Sequence, residues 1–164
     1  MRKNVDPPAN RGAVMDCRNL PSLQKERGLR VVLTSMESDS HTWNLVFLQL
    51  VLEELGHRVT NLGACVPDQV LVDRCRLPPP DLIVISSVNG HGYNDGMRLI
   101  RMLRSQSELA VTPIVIGGKL GIGGADDLRY SGALLAAGFD AVFQDTAGIE
   151  SFRSYARSLS GQAS

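Results

Sequence analysis

The stretch DLIVISS, residues 81–87, decides the fold. Four aliphatic residues run together without a polar break, and two serines end the run. A strand with one wet face would alternate apolar and polar residues. An unbroken run indicates a strand buried on both faces, as in a parallel sheet covered by helices. LRVVLTS (29–35) and TPIVIGG (112–118) read the same way. RVTNLG (58–63) and DAVFQ (140–144) complete five strand candidates.

Helical segments fall between the strands. NLVFLQLVLEELG (44–56) ends in a glycine suited to a helix C-terminus, and PDQVLVDRC (67–75) opens with a proline. YNDGMRLIRMLRS (93–105), ADDLRYSGALLAAG (125–138) and GIESFRSYARSLS (148–160) follow. Strand and helix thus alternate through five units with short connections. This predicts an α/β fold, a doubly wound parallel sheet of five strands. Residues 1–28 show no sustained period and are read as a flexible N-terminal extension. Residues 29–160 form the domain.

Composition narrows the function. Among 164 residues, Lys plus Arg number 17 and Asp plus Glu number 17, so no net field favours nucleic acid or an anionic membrane. No apolar run is long enough to span a bilayer, and the N-terminus lacks a signal-peptide core. A cytoplasmic location is expected. Cys17, Cys65 and Cys75 lack zinc-like spacing and read as free thiols.

In doubly wound sheets, ligands bind beyond the carboxyl ends of the strands. The three most apolar strands run into SMESDSH (35–41), SSVNGHG (86–92) and GGKLGIGG (117–124). Three polar or glycine-rich endings on one edge predict a site for a large ligand that the backbone approaches closely. A flavin phosphate site would need glycines in the first of these loops, and there are none. A phosphoacceptor receiver domain would need a carboxylate at the end of the third strand, where Ser86 and Ser87 stand. The late glycines do not fit a dinucleotide fingerprint. The pair Asp39-x-His41 is more informative. A carboxylate that accepts a hydrogen bond from one imidazole nitrogen fixes the tautomer and makes the other nitrogen a stronger ligand or base. The alternative is a surface loop whose aspartate caps a helix. His57, just past the first helix, reads as a simple charge at a helix C-terminus.

Asp39-Ser40-His41-Thr42-Trp43-Asn44, then Ser86-Ser87-Val88, then Gly117-Gly118 resemble the DxHxxG, SxL and GG motifs of cobalamin-binding domains. The resemblance covers residues 29–157 and implies a flavodoxin-like or Rossmann-like cobalamin-binding domain. Within that family, NLGACVPDQVLVD, SSVNGHGYNDGMRLIR and VIGGKLGIG are similar to segments of the small subunits of glutamate mutase. There are two departures. Asn44 stands where the motif has its last glycine, and Val88 replaces leucine. Asn tolerates a left-handed backbone, so Asn44 either keeps the geometry of that glycine or begins the first helix with ordinary backbone angles, and in both cases it adds a side chain near the loop.

The resemblance implies that His41 coordinates cobalt and that Asp39 holds its other ring nitrogen. The cofactor's nucleotide tail would enter a slot lined by Asn44, Ser86 and Val88. Gly117 and Gly118 would give it room. Ser38 and Thr146 would lie near the tail, and Asn89 and His91 would face the corrin. The implied cofactor is adenosylcobalamin, and the implied reaction interconverts L-glutamate and threo-3-methylaspartate. Substrate residues would lie on a partner, a large TIM-barrel subunit, in a heterotetramer of two small and two large subunits. Four other readings remain open on the sequence. They are a corrinoid carrier for methyl transfer, a small subunit of a CoA-substrate mutase, a cobalamin-responsive regulatory module, and a structural module that binds nothing. A corrinoid carrier would be expected to have a helical cap upstream, and residues 1–28 are too short for one.

Overall fold

A computed structural model describes residues 28–121, 127–144 and 148–162. Five strands alternate with five helices. They are β1 (Arg30–Ser35), α1 (Trp43–Glu54), β2 (Arg58–Asn61), α2 (Asp68–Arg76), β3 (Leu82–Ser87), α3 (Gly92–Arg104), β4 (Ile114–Gly118), α4 (Asp127–Ala137), β5 (Ala141–Gln144) and α5 (Gly148–Gln162). A short 3-10 turn, Ser107–Leu109, precedes β4. All strand pairs are parallel, in the order β2-β1-β3-β4-β5. The strand order therefore reverses between β1 and β3, which opens a crevice beyond their carboxyl ends. No helix among the described residues is long and apolar enough to cross a membrane.

Every residue of β3 is buried, as its unbroken run requires. Its side chains alternate between two cores. Ile83 and Ile85 pack with Leu71, Leu99, Ile100 and Leu134 under α2, α3 and α4. Leu82 and Val84 pack with Leu45, Leu52, Phe152 and Ala156 under α1 and α5. Full burial of each such side chain contributes roughly 1.5–3 kcal/mol, so the two cores hold the sheet from both sides.

Helix α1 stops where the sequence predicts. Gly56 has φ +86, its N–H donates to Glu53 O, and the N–H of His57 donates to Leu52 O. This is a Schellman turn, and its left-handed residue favours glycine. The turn folds His57 back against Leu29, which corrects the expectation of a simple charge at a helix C-terminus. His57 is 5% exposed, and its Nδ1 accepts a hydrogen bond from the Leu29 N–H at 3.3 Å. Burial lowers its pKa and so favours the neutral ring. Cys75 is buried, with its thiol pKa pushed up to about 12, whereas Cys65 is exposed. The N-terminal extension up to residue 27 and Cys17 lie outside the described residues.

Candidate functional site

The loop after β1 and the loop after β3 meet at the crevice, and Asp39 joins them. Its side chain is fully buried. Oδ1 accepts from the His41 N–H at 3.0 Å and from His41 Nδ1 at 2.7 Å. Oδ2 accepts from the Val88 N–H at 2.6 Å. Burial alone would raise the carboxyl pKa, but the Val88 and His41 donors outweigh it and hold the pKa below its ordinary value. The Asp39 main chain is also anchored. Its carbonyl accepts from Ser35 Oγ at 2.8 Å and from the Cys65 N–H at 3.0 Å. The polar crowd in SMESDSH therefore has a structural use, since it closes the first loop around a buried carboxylate.

The His41 side chain is 60% exposed. Because a carboxylate only accepts, Nδ1 must carry the proton. In the neutral ring Nε2 then carries the lone pair, and it has no partner among the described residues. The expected orientation of the pair is thus present.

Beside this pair a cavity of about 340 Å³ runs between the sheet and helices α1 and α5. Asn44, Ser86, Val88, Gly117 and Gly118 line it, together with Phe47, Phe143, Ile149 and Phe152. The strand register explains the alignment, since Ser86 faces Gly117 and Ser87 faces Gly118. The glycines also have a role in the sheet itself. A Cβ on Gly118, where φ is +98, would lie 2.2 Å from Ser87 O, and one on Gly117 would lie 2.8 Å from Phe143 O. The clash is with neighbouring strands, so these glycines let the sheet edge form beside the cavity.

Asn44 takes the second of its two backbone alternatives. It lies in the first turn of α1, where the N–H groups of Leu45 and Val46 already bond to Thr42 O. Among the described non-glycine residues only Cys65 has a positive φ. The Asn44 backbone is therefore ordinary, and the departure lies in its side chain. Nδ2 donates to Ser86 Oγ at 2.6 Å across the cavity. Oδ1 is buried and has no hydrogen-bond partner.

Ser38 and Asn89 bind each other. Asn89 Nδ2 donates to Ser38 O and Oγ, both at 2.9 Å, and Ser38 Oγ donates to Asp95 at 2.5 Å. These contacts brace the first loop against the third. His91 is exposed at the start of α3, and its N–H donates to Asn89 Oδ1. Thr146 lies outside the described residues. The sequence reading missed Phe47, Ile149 and Phe152 as cavity walls and Asp95 as a brace. The apolar residues continuing round α1 past its buried side were the available signal for Phe47.

A larger concavity, about 910 Å³, opens at the amino end of the sheet around Arg30, Arg58 and Asp81. Arg30 and Asp81 pair with each other there at 3.0 Å. Its charged lining is partly self-satisfied, and no exposed imidazole stands beside it.

The family model described as the B12 binding domain matches residues 29–149. The glutamate mutase sigma subunit of Halobacterium salinarum is 32% identical over 120 residues, covering 73% of this chain and 79% of that protein. Among solved structures, the monomethylamine corrinoid protein of Methanosarcina barkeri superposes with a TM-score of 0.60 at 14% identity, over 82% of this chain and 57% of that one. The receiver domain of a Pseudomonas aeruginosa sensor histidine kinase, PA1611, reaches 0.59 at 18% identity, over 82% of this chain and 98% of that one. These structural likenesses describe a shared fold.

Proposed function

This chain belongs to the B12-binding domain family, and from that premise we propose that it is the cobalamin-carrying small subunit of an adenosylcobalamin-dependent glutamate mutase. The observation that carries the reading is His41. A buried carboxylate fixes its tautomer, and the same carboxylate accepts from the N–H of Val88, which lines an apolar cavity. One oriented nitrogen suits a metal whose other ligands come from an organic macrocycle. A cavity of about 340 Å³ is at the lower end of the ~300–1,000 Å³ typical of ligand pockets.

On this reading His41 Nε2 is the protein's ligand to cobalt, and Asp39 keeps it basic and correctly turned. Ser86, Val88, Gly117 and Gly118 line the slot for the nucleotide tail, with Asn44 at its wall. Ser38 and Asn89 keep the two loops in register. The bound cofactor would supply the adenosyl radical that starts the rearrangement of L-glutamate to threo-3-methylaspartate. The sequence relationship to a glutamate mutase sigma subunit supports this substrate. The substrate-binding groups would come from a large barrel subunit, in an assembly of two small and two large subunits. Exposed Trp43, Val46, Phe47 and Leu50 recur at helical spacing on α1 and begin two residues from His41. Such an apolar patch supports a partner that closes over this edge.

The test is reconstitution. The purified chain, adenosylcobalamin and a large glutamate mutase subunit are combined with L-glutamate, and threo-3-methylaspartate is measured. Product should require both proteins. Turnover by this chain alone, or a complete mixture that binds cofactor and leaves glutamate unchanged, would contradict the proposal.

A further inference from the structure

Helix α1 is apolar on both sides. Leu45, Val51 and Leu52 are buried against the sheet. On the outer side Trp43, Val46, Phe47 and Leu50 are 84%, 44%, 54% and 61% exposed, and their spacing places them in one stripe. A helix that is apolar all round is normally buried all round, so this stripe calls for a cover. From Trp43 to Leu52 no residue is charged. The stripe then runs into Glu53 and Glu54, three and four residues past Leu50 and both exposed. Glu54 pairs with Arg153, whereas Glu53 has only the Gln49 amide, at 2.8 Å, among the described residues. These carboxylates stand at the negative end of the helix, with no basic residue in its last turn. At the positive end there is no acidic residue in the first turn, and the Thr42 side chain makes no cap. A carboxylate is unfavourable at a helix C-terminus and favourable at an N-terminus. Each end of the stripe therefore lacks what the opposite end carries.

We propose that the outer face of α1 is the contact between two copies of this chain, packed antiparallel about a two-fold axis that passes between Val46 and Phe47. In that register Trp43 of one copy lies over Leu50 of the other. Glu53 of each copy lies beside the N-terminus of the other copy's α1. A two-fold contact needs a surface complementary to its own reverse. This stripe has one, with an apolar centre, an acidic end and an uncompensated positive end. An unrelated protein would have to bring both a cation for Glu53 and an anion for the helix N-terminus. The antiparallel packing points the carboxyl ends of the two sheets in opposite directions, so each His41 stays open to a large subunit. The inference does not depend on the cofactor, although an assembly with two small subunits would contain this pair.

Sedimentation of the full chain without cofactor, over a range of concentrations, reads its oligomeric state. Emission from Trp43, the single tryptophan, reads the contact itself. The wild-type chain should be a dimer that dissociates on dilution, with its emission moving to the red as it does. Leu50→Lys should weaken association by about tenfold or more, because the contact would bury a charge, and its emission should stay red. Leu50 is exposed in the single chain, so this variant should fold normally. Glu53→Lys should weaken association about threefold or more, because it sets a cation beside the positive end of the other helix. It should not lower the melting temperature of the monomer, since lysine suits the C-terminus of its own helix. A monomer at every concentration would overturn the inference, whatever covers Trp43 in it. A dimer that either substitution leaves intact would overturn it too. Neither result bears on the cobalamin reading, which the reconstitution tests separately.

Discussion

At the carboxyl end of the sheet a buried carboxylate backs an exposed imidazole, whereas at the amino end a backbone N–H backs a buried one. The His41 side chain is 60% exposed and Asp39 behind it is fully buried. His57 is 5% exposed, and its Nδ1 lone pair is taken by the Leu29 N–H. The difference lies in which partner is buried. Burying the acceptor orients an exposed ring and leaves one nitrogen for a ligand. Burying the ring uses its lone pair to join the end of α1 to the start of β1. Histidine is the same residue in both places, and its surroundings decide whether it can bind anything.

The largest effect that sharpens this contrast is expected at Asp39. Asp39→Asn keeps the size but turns one acceptor into a donor that faces either the Val88 N–H or His41. Loss of such a supporting contact typically weakens metal-site affinity roughly 10- to 100-fold. Titration with adenosylcobalamin beside the partner subunit measures it, and unchanged affinity would break the contrast at its strong end.

A smaller effect is expected from the glycines that shape the two ends. Gly56 and Gly118 both have positive φ, but a Cβ on Gly56 meets nothing within 4 Å, whereas one on Gly118 lies 2.2 Å from Ser87 O. Gly56→Ala should lose about 1–2 kcal/mol, the usual cost of a left-handed residue. Gly118→Ala should lose more, because the strand edge must also move. Urea unfolding of both variants tests the order, and equal losses would show that the carboxyl edge yields more easily than its geometry indicates.

The smallest effect is pH-dependent and belongs to His57. Its folded-state pKa is below the ordinary 6.5, so in mild acid the unfolded chain takes up the proton first. Its contribution to stability is complete above that value and is lost as pH falls from it toward the folded-state pKa. His57→Gln should therefore lose less stability than wild type between roughly pH 7.5 and roughly pH 5.5. Identical slopes for the two proteins would contradict the neutral buried ring.

Much of this was legible before any coordinates. The run from Leu82 to Ile85 has no polar interruption because both of its faces are covered, and that property shows in a single stretch of sequence. Strand ends were legible to within about two residues, since the last residue to pair depends on a neighbour far away in the chain. Asp39 and His41 were readable as a pair because they are adjacent in sequence. The backbone of Asn44 was left open between two conformations because it depends on α1 starting at Trp43, and asparagine is compatible with either. His57 was misread because the Schellman turn, obvious once formed, brings the ring against Leu29, 28 positions away. Phe47, Ile149 and Phe152 stayed hidden as cavity walls because an apolar residue facing a sheet looks the same in sequence whether it meets a core or a slot.

The most direct test of the central claim is electron paramagnetic resonance of the cob(II)alamin complex, formed with the partner subunit present and with histidine labelled by nitrogen-15. His41 as the cobalt ligand predicts that the nitrogen splitting changes on labelling in the wild-type chain and in His57→Gln, and that it is absent from His41→Gly. A splitting that ignores the label, or one that persists in His41→Gly, would contradict the account.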